Sequence, residues 1–454
     1  MQHRFHPSIL RDYDIRGTVG RTLDTADARA VGHAFGSIVR RSGGTRVAVG
    51  RDGRLSSPDL EAALVEGLAA AGIHVVRIGL GPSPMLYHAE RTLGVDGAIQ
   101  VTGSHNPIDD NGFKMVLRHR PFFGEDIVRL AGLAAAGDVE SGAGSVSAAE
   151  VREEYVARLV DGDPIPAFRI GWDAGNGAAG PAVERLVGLL PGEHHVLFAE
   201  VDGSFPNHHP DPTEEANLAA LKALVVEKSL DFGVAFDGDG DRIGAVDGLG
   251  RVIAGDQLLS ILAEPALRAN PGAAIVADVK ASATLFDRIA ALGGRPVMWK
   301  SGHSNIKTMM HEVGAPLAGE MSGHIFFAEL GGHDDALYAA VQLIRAVGLA
   351  GRSLAALRDA MPAVVATPEL RFAVDEARKG AVVEEVLERL ANEGASVDLT
   401  DGARVTTPDG WWLLRASNTQ AMLTARAEAK DEAALGRLVA AIDAQLALSG
   451  VSRA

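Results

Sequence analysis

Three aspartates alternate with glycines in Asp237-Gly238-Asp239-Gly240-Asp241-Arg242. The glycines permit the backbone angles that turn three carboxylates toward one point, and such a cluster suits a hard divalent cation. The spacing begins like a calcium EF-hand, but Arg242 stands where that loop needs Gly and Gly248 where it needs Glu. A solvated acidic turn is the plain alternative. The apolar run Phe232-Gly233-Val234-Ala235-Phe236 just before the cluster, and Arg242 just after it, favour the metal loop.

Ser104 lies between Gly103 and His105 in Thr102-Gly103-Ser104-His105-Asn106-Pro107, a tight loop that presents a hydroxyl with little steric cover. A loop serine is more often polar filler, so the local sequence leaves both readings open. Thr102 and Asn106 occupy the outer positions where a hydrolase elbow needs Gly, which leaves acyl transfer unsupported. Arg415-Ala416-Ser417-Asn418-Thr419 offers a guanidinium fork, two hydroxyls and an amide, a set of donors suited to a phosphate dianion. The plain alternative is a strand ending in a polar turn.

Gly175-Asn176-Gly177-Ala178-Ala179-Gly180 matches the dinucleotide fingerprint, with Glu200 at a plausible distance, and taken alone suggests a nicotinamide-dependent dehydrogenase. Asp173 precedes it where an anionic pyrophosphate would approach, and the other loops have no task in hydride transfer. It reads better as a strand-to-helix turn. The pairs His194-His195 and His208-His209 read as structural, because neighbours on a strand face opposite sides and chelate poorly. The Pro-rich segment around His208 is expected to pack beneath the metal loop.

Short β-branched runs alternate with Ala/Leu-rich helical patterns, the signature of βαβ units and largely parallel sheets. The alternation falls into three blocks. They end at the Ser104 loop, at the aspartate loop, and at Gly319-Glu320-Met321-Ser322-Gly323-His324. Polar loops beyond strand ends are where open α/β sheets bind ligands, so three such loops can face one cleft. The last ninety or so residues read as a small α+β piece. The expected domains are 1–150, 151–252, 253–366 and 367–454.

With 454 residues, 47% of them hydrophobic and 22% charged, the chain has the balance of a multi-domain globular protein. Fifty-nine acidic against 43 basic residues give a net charge of −16, which argues against nucleic acid or anionic membrane as a partner. No cysteine is present, so disulfides, thiolate zinc sites and cysteine nucleophiles are excluded. The opening MQHRFHPSILRDYDIRG has no apolar signal core, and no run approaches the ~18 apolar residues of a membrane span. A cytoplasmic protein is expected.

Taken together and in order, the four loops resemble the α-D-phosphohexomutase superfamily, most closely its bacterial phosphomannomutase/phosphoglucomutase branch. The resemblance extends to Tyr13-Asp14-Ile15-Arg16-Gly17 and Lys300-Ser301-Gly302-His303-Ser304 and covers essentially the whole chain. It implies three similar α/β domains with mixed, largely parallel sheets around a central cleft, plus a smaller C-terminal α+β domain. It implies reversible phosphoryl transfer between the 1- and 6-positions of a mannose or glucose phosphate through phospho-Ser104 and a hexose 1,6-bisphosphate. It also implies Mg²⁺ on Ser104, Asp237, Asp239 and Asp241, and glucose 1,6-bisphosphate as activator. Arg16, Lys114, His303 and His105 are implied near the reacting oxygens. Tyr13, Lys280, Glu320, Ser322, His324, Arg415, Ser417, Asn418 and Thr419 are implied as substrate contacts, and Arg242 as support for the metal loop. A monomer or weak dimer acting on small hexose phosphates is expected. Met321, where phosphoglucosamine mutases tend to carry Gln, favours glucose or mannose over glucosamine. Ala416 and Gln420 depart from the prolines and glutamate that relatives commonly place there, which bears on loop rigidity.

Overall fold

A computed structural model describes residues 2–417 and 421–453. Asn418 and Thr419 of the expected phosphate loop lie outside the described residues.

Three sheets are built on one plan. In the first, β1 (Arg46–Arg51) is flanked in parallel by β2 (His74–Leu80) and β3 (Gly97–Val101), and β3 turns back antiparallel into β4 (Asp110–Leu117). The second repeats this with β5 (Phe168–Asp173), β6 (Gly192–Leu197), β7 (Phe232–Phe236) and β8 (Ile243–Asp247). The third does so with β9 (Ala274–Asp278), β10 (Arg295–Trp299), β11 (Leu317–Gly319) and β12 (Ile325–Phe327). The first sheet is widened by Ile15–Thr18, antiparallel to β4, and by Ser145–Ala148, parallel to β2. The fourth sheet is antiparallel and carries β13 (Ala403–Thr407), β14 (Gly410–Ala416) and β15 (Met422–Ala429).

Strands β3, β7, β9 and β11 are buried along their whole length, as expected where helices cover both faces of a sheet and the strand sequence reads as a continuous apolar run. The consequence for the site is topological. The loops 102–109, 237–242 and 320–324 each join the third strand of a unit to its antiparallel fourth, so three topologically equivalent connections carry the three polar motifs.

Some helix ends differ from the sequence pattern. The Ala/Leu-rich pattern after Thr213 starts as a 3₁₀ turn at Glu215–Leu218 and continues as the helix Ala219–Glu227. Asp211 is the reason: its carboxylate accepts from the Thr213 amide and hydroxyl, locking a turn that competes with helix.

One continuous core joins the first three units, running through Leu86, Tyr155, Trp172, Phe236, Leu258 and Leu337. The C-terminal unit has its own core of Phe372, Val386, Trp412, Leu414, Leu438 and Ile442. Its apolar contact with the third unit is small, made by Trp411 and Leu413 against Val279. Among the described residues, no helix is long and apolar enough to cross a membrane.

Candidate active site

Ser104 is buried at the tip of the first loop with φ +49°, a left-handed conformation that a serine adopts only when its surroundings hold it there. Its amide donates to Thr102 Oγ1 at 2.8 Å. Its hydroxyl donates to Asp237 Oδ2 at 2.7 Å, and His105 Nδ1 lies 3.1 Å away. Arg16 reaches in from the edge strand, donating to Gly103 O at 3.0 Å and Asn106 Oδ1 at 2.8 Å while paired to Asp14.

Asp237, Asp239 and Asp241 are all buried, and one oxygen from each lies within 4.8 Å of the others. Among the described residues, Asp239 Oδ1 and Asp241 Oδ1 have no hydrogen-bond partner. Burial and the repulsion of Asp239 and Asp241 push the Asp237 carboxyl well above the usual carboxylate range. Burial alone would raise Asp239 too, but Lys114, 2.8 Å away, and the hydroxyls of Ser83 and Ser104 hold it below that range. Lys114 is also paired to Asp241. Converging buried carboxylates with orphaned oxygens fit a hard divalent cation, which would satisfy the oxygens that Lys114 leaves without partners.

The glycines between the aspartates are required by packing as well as by turn geometry. A Cβ on Gly238 would stand 2.5 Å from the carbonyl oxygen of Ser104, so the first two loops touch through bare backbone.

The third loop joins the second edge to edge: Ile243 N donates to Gly323 O at 3.1 Å. His324, expected among the substrate contacts, bridges two elements. Its Nε2 accepts from Arg242 Nε at 2.9 Å, and its Nδ1 lies 2.7 Å from Asp334 Oδ2 and 3.5 Å from Asp241 Oδ1. Asp334 is paired in turn to Lys307. Glu320 accepts from Gly302 N at 2.6 Å, and burial raises its carboxyl. Ser322, beside it in the loop, is half-buried. His303 stands between Tyr13 and His324, its ring centre 5.9 and 5.8 Å from theirs. Burial, then the charge of Lys307, holds His303 well below the ordinary imidazole range; burial with Arg242 and Arg16 does the same for His105.

At the other side of the cleft, Arg415 Nε donates to Asp401 Oδ2 at 2.9 Å, and the same carboxylate oxygen accepts from Ser301 N at 3.1 Å. Tyr13 Oη donates to Ser301 O at 2.8 Å. Residues 301–302 are thus the point where the first, third and C-terminal units meet. Ser417 accepts from Lys379 Nζ at 2.6 Å through its carbonyl. Lys280 Nζ lies 3.7 Å from Glu369 Oε2 and 3.9 Å from Asp278 Oδ2.

Direct contacts therefore bring together Ser104, His105, Lys114, Asp237, Asp239, Asp241, Arg242 and His324. His303 and Glu320 are placed one contact further out and Tyr13 beyond His303, while Arg415 and Lys280 are held by carboxylates of their own. Sequence reasoning missed Arg54, Asp401, Ser83 and the Asp334–Lys307 pair. Asp52-Gly53-Arg54 follows the end of β1 as the other polar loops follow theirs, but nothing in that local sequence shows which partners Arg54 meets.

The Gly175–Gly180 turn is packed shut. Ala178 N donates to Gly238 O at 2.9 Å, a Cβ on Gly177 would meet Gly238 O at 2.9 Å, and one on Gly180 would collide with Ala199 O. Asp173, ahead of the turn, is buried against His208, whose Nε2 is 3.1 Å away. These glycines let the turn lie under the metal loop.

Profiles described as phosphoglucomutase/phosphomannomutase alpha/beta/alpha domains I, II and III match residues 8–129, 153–250 and 254–364, and the profile of the C-terminal domain matches 369–445. The phosphomannomutase/phosphoglucomutase of Pseudomonas aeruginosa is 43% identical over 434 residues, 95% of this chain and 94% of that one. The phosphoglucomutase of Neisseria meningitidis serogroup A is 40% identical over 439 residues, 95% of each. A crystal structure of a phosphoglucomutase/phosphomannomutase family protein from Burkholderia thailandensis superposes with a TM-score of 0.92 at 42% identity, covering 98% of both chains. Four matched domains in order, on a fold with three equivalent polar loops around one cleft, place this chain in the phosphoglucomutase/phosphomannomutase family, the bacterial branch of the α-D-phosphohexomutase superfamily.

Proposed function

We propose that the chain is a mutase that moves a phosphoryl group reversibly between the 1- and 6-positions of a mannose or glucose phosphate, carrying it on Ser104. The observation that bears most weight is the 2.7 Å hydrogen bond between Ser104 Oγ and Asp237 Oδ2 at the junction of two equivalent loops. It sets the nucleophile against the carboxylates that a cation would neutralise.

In the first half-reaction the bond between phosphorus and Ser104 Oγ breaks as one forms to the sugar hydroxyl, which gives up its proton. The hexose 1,6-bisphosphate then turns end over end and returns its other phosphate to Ser104. Asp237, Asp239 and Asp241, with the Ser104 phosphate, would hold Mg²⁺, which supplies neutralising charge to a loose transition state. Arg16 and Lys114 place fixed positive charge beside the transferring group. Burial holds the imidazoles of His303 and His105 well below the ordinary range, which favours the uncharged form that has a free nitrogen for a proton. Arg415 and Ser417, with Asn418 and Thr419, clamp the non-reacting phosphate, and Lys280 borders the same cleft. Glu320 and Ser322 orient sugar hydroxyls. Arg242 and His324 hold the metal loop against the sugar loop, so His324 acts at least partly through its neighbours.

Four domains with seams near 150, 252 and 366, a cytoplasmic monomer or weak dimer, and glucose 1,6-bisphosphate as activator complete the reading. Met321 in the sugar loop favours glucose and mannose over glucosamine. A coupled assay with mannose 1-phosphate, glucose 1-phosphate and glucosamine 1-phosphate tests the assignment: turnover of the first two is expected. Preferential turnover of glucosamine 1-phosphate would reassign the substrate, and nicotinamide reduction without isomerisation would overturn the class.

A further inference from the structure

Arg54 is 1% exposed, and the chemistry described above does not use it. Its guanidinium is surrounded by the carbonyls of the Ser104 loop. Nη2 donates to Ser104 O at 2.8 Å and Asn106 O at 2.7 Å, while Nη1 donates to Pro107 O at 2.6 Å, Ile108 O at 3.2 Å and Asp110 O at 2.9 Å. Asp52 completes the arrangement. Its Oδ2 accepts from Gly103 N at 2.9 Å and lies 3.5 Å from Arg54 Nε, and its Oδ1 accepts from Ser57 Oγ at 2.5 Å. Gly103 is required here, because a Cβ would collide with Arg54 Nε. From the second unit, the Phe205 ring covers the guanidinium at 5.4 Å.

We infer that Arg54 is the positioning residue of the phosphate-carrying loop: by drawing five carbonyls to one buried cation it holds Ser104 in its left-handed conformation, with the hydroxyl facing the aspartates. A left-handed serine costs energy, and Pro107 removes one of the amide donors that could meet that cost within the loop. Five carbonyls converging on one point also repel one another unless a cation sits among them. Only a guanidinium presents donors in a fork wide enough to reach all five. A lysine ammonium has the charge but offers three donors from a single nitrogen. Arg54 touches neither Ser104 Oγ nor the metal carboxylates among the contacts above, so its effect on transfer runs through the loop.

The inference rests on the phosphoserine reading, and the test separates the two. Arg54→Lys and Asp52→Asn are compared with the parent for steady-state kinetics, for the rate at which Ser104 takes phosphate from glucose 1,6-bisphosphate, and for thermal unfolding. Displacement of a reacting atom by about an ångström costs ~10²-fold in rate, so Arg54→Lys is expected to lower kcat and the phosphorylation rate by ~10²-fold with KM nearly unchanged. Asp52→Asn, which leaves Arg54 in place, is expected to show a smaller loss of the same kind. Should Arg54→Lys fail to fold, Asp52→Asn decides by itself. Parental kcat in the variants, or a raised KM with kcat intact, overturns the positioning role. A parent enzyme that never takes phosphate on Ser104 overturns the phosphoserine reading and this inference with it.

Discussion

Among the described residues, Asp239 and Asp241 each present a buried oxygen without a hydrogen-bond partner, and burial with the repulsion of its neighbours pushes the Asp237 carboxyl up, so the cluster is short of compensating positive charge. Chelator treatment is therefore expected to abolish turnover and added Mg²⁺ to restore it, while Asp239→Asn should stay inactive at any Mg²⁺ concentration; activity in metal-stripped enzyme would contradict the assignment. At the far side of the cleft, Arg415 is held only by Asp401 among the pairs described above. A hydrogen bond from a charged group contributes about 1.5–3 kcal/mol, so Arg415→Ala should raise KM for the sugar phosphate roughly 10- to 100-fold. An unchanged KM would remove Arg415 from the clamp. These residues were legible in the sequence because chemistry demands particular types at particular spacings: three carboxylates with glycines between them, or an arginine followed by hydroxyls and amides. Arg54 and Asp401 were not. A lone arginine or aspartate has no spacing to read, and its importance comes from partners about 50 and 100 residues away along the chain, the Ser104 loop for one and Ser301 for the other.

The three equivalent turns make the loop, at the scale of elements, the unit that sets alignment. Strand periods and the order of blocks could be read from the sequence, since buried strands are continuous apolar runs. The contact between loops could not, because it is made through backbone atoms that leave no mark on side-chain pattern. Gly238→Ala puts a methyl 2.5 Å from the carbonyl of Ser104. It is expected to lower kcat ~10²-fold through misplacement while costing only about 1–3 kcal/mol in stability. A fully active variant would show that the loops need not touch. A second element-scale prediction concerns the helix Ala336–Ala350. Asp335 caps it through Tyr338 N at 2.9 Å and accepts from Tyr155 Oη at 3.1 Å. Burial pushes its carboxyl up to about 7 from the usual 3.8. The folded protein thus keeps this proton at pH values where the unfolded chain has lost it, so stability falls as pH rises from about 4 to about 7. Asp335→Asn keeps the cap without the charge and should flatten that slope in thermal melts between pH 5 and pH 8. A slope unchanged by the substitution would assign the pH dependence elsewhere.

One core spans the first three units while the C-terminal unit closes around its own, and that division shapes the whole molecule's behaviour. The small apolar contact of Trp411 and Leu413 with Val279, together with Arg404 donating to the carbonyls of Val279 and Ala281, lies apart from both main cores, so the C-terminal unit is expected to move on it without disturbing either. A bisphosphate that must turn over inside the cleft needs such freedom. Small-angle scattering is expected to show a more compact particle with sugar phosphate than without, and identical profiles would count against hinge closure. The sequence pointed to a separate C-terminal piece through its change of pattern, but the size of its interface depends on residues spread over more than a hundred positions. The central claim, that the four parts meet over one phosphate carried by Ser104, is tested most directly by intact-mass spectrometry after incubation with glucose 1,6-bisphosphate. The account predicts one phosphoryl group, on Ser104, lost when hexose monophosphate is added and never gained by Ser104→Ala. Phosphate on another residue, or undiminished mutase turnover in Ser104→Ala, would contradict it.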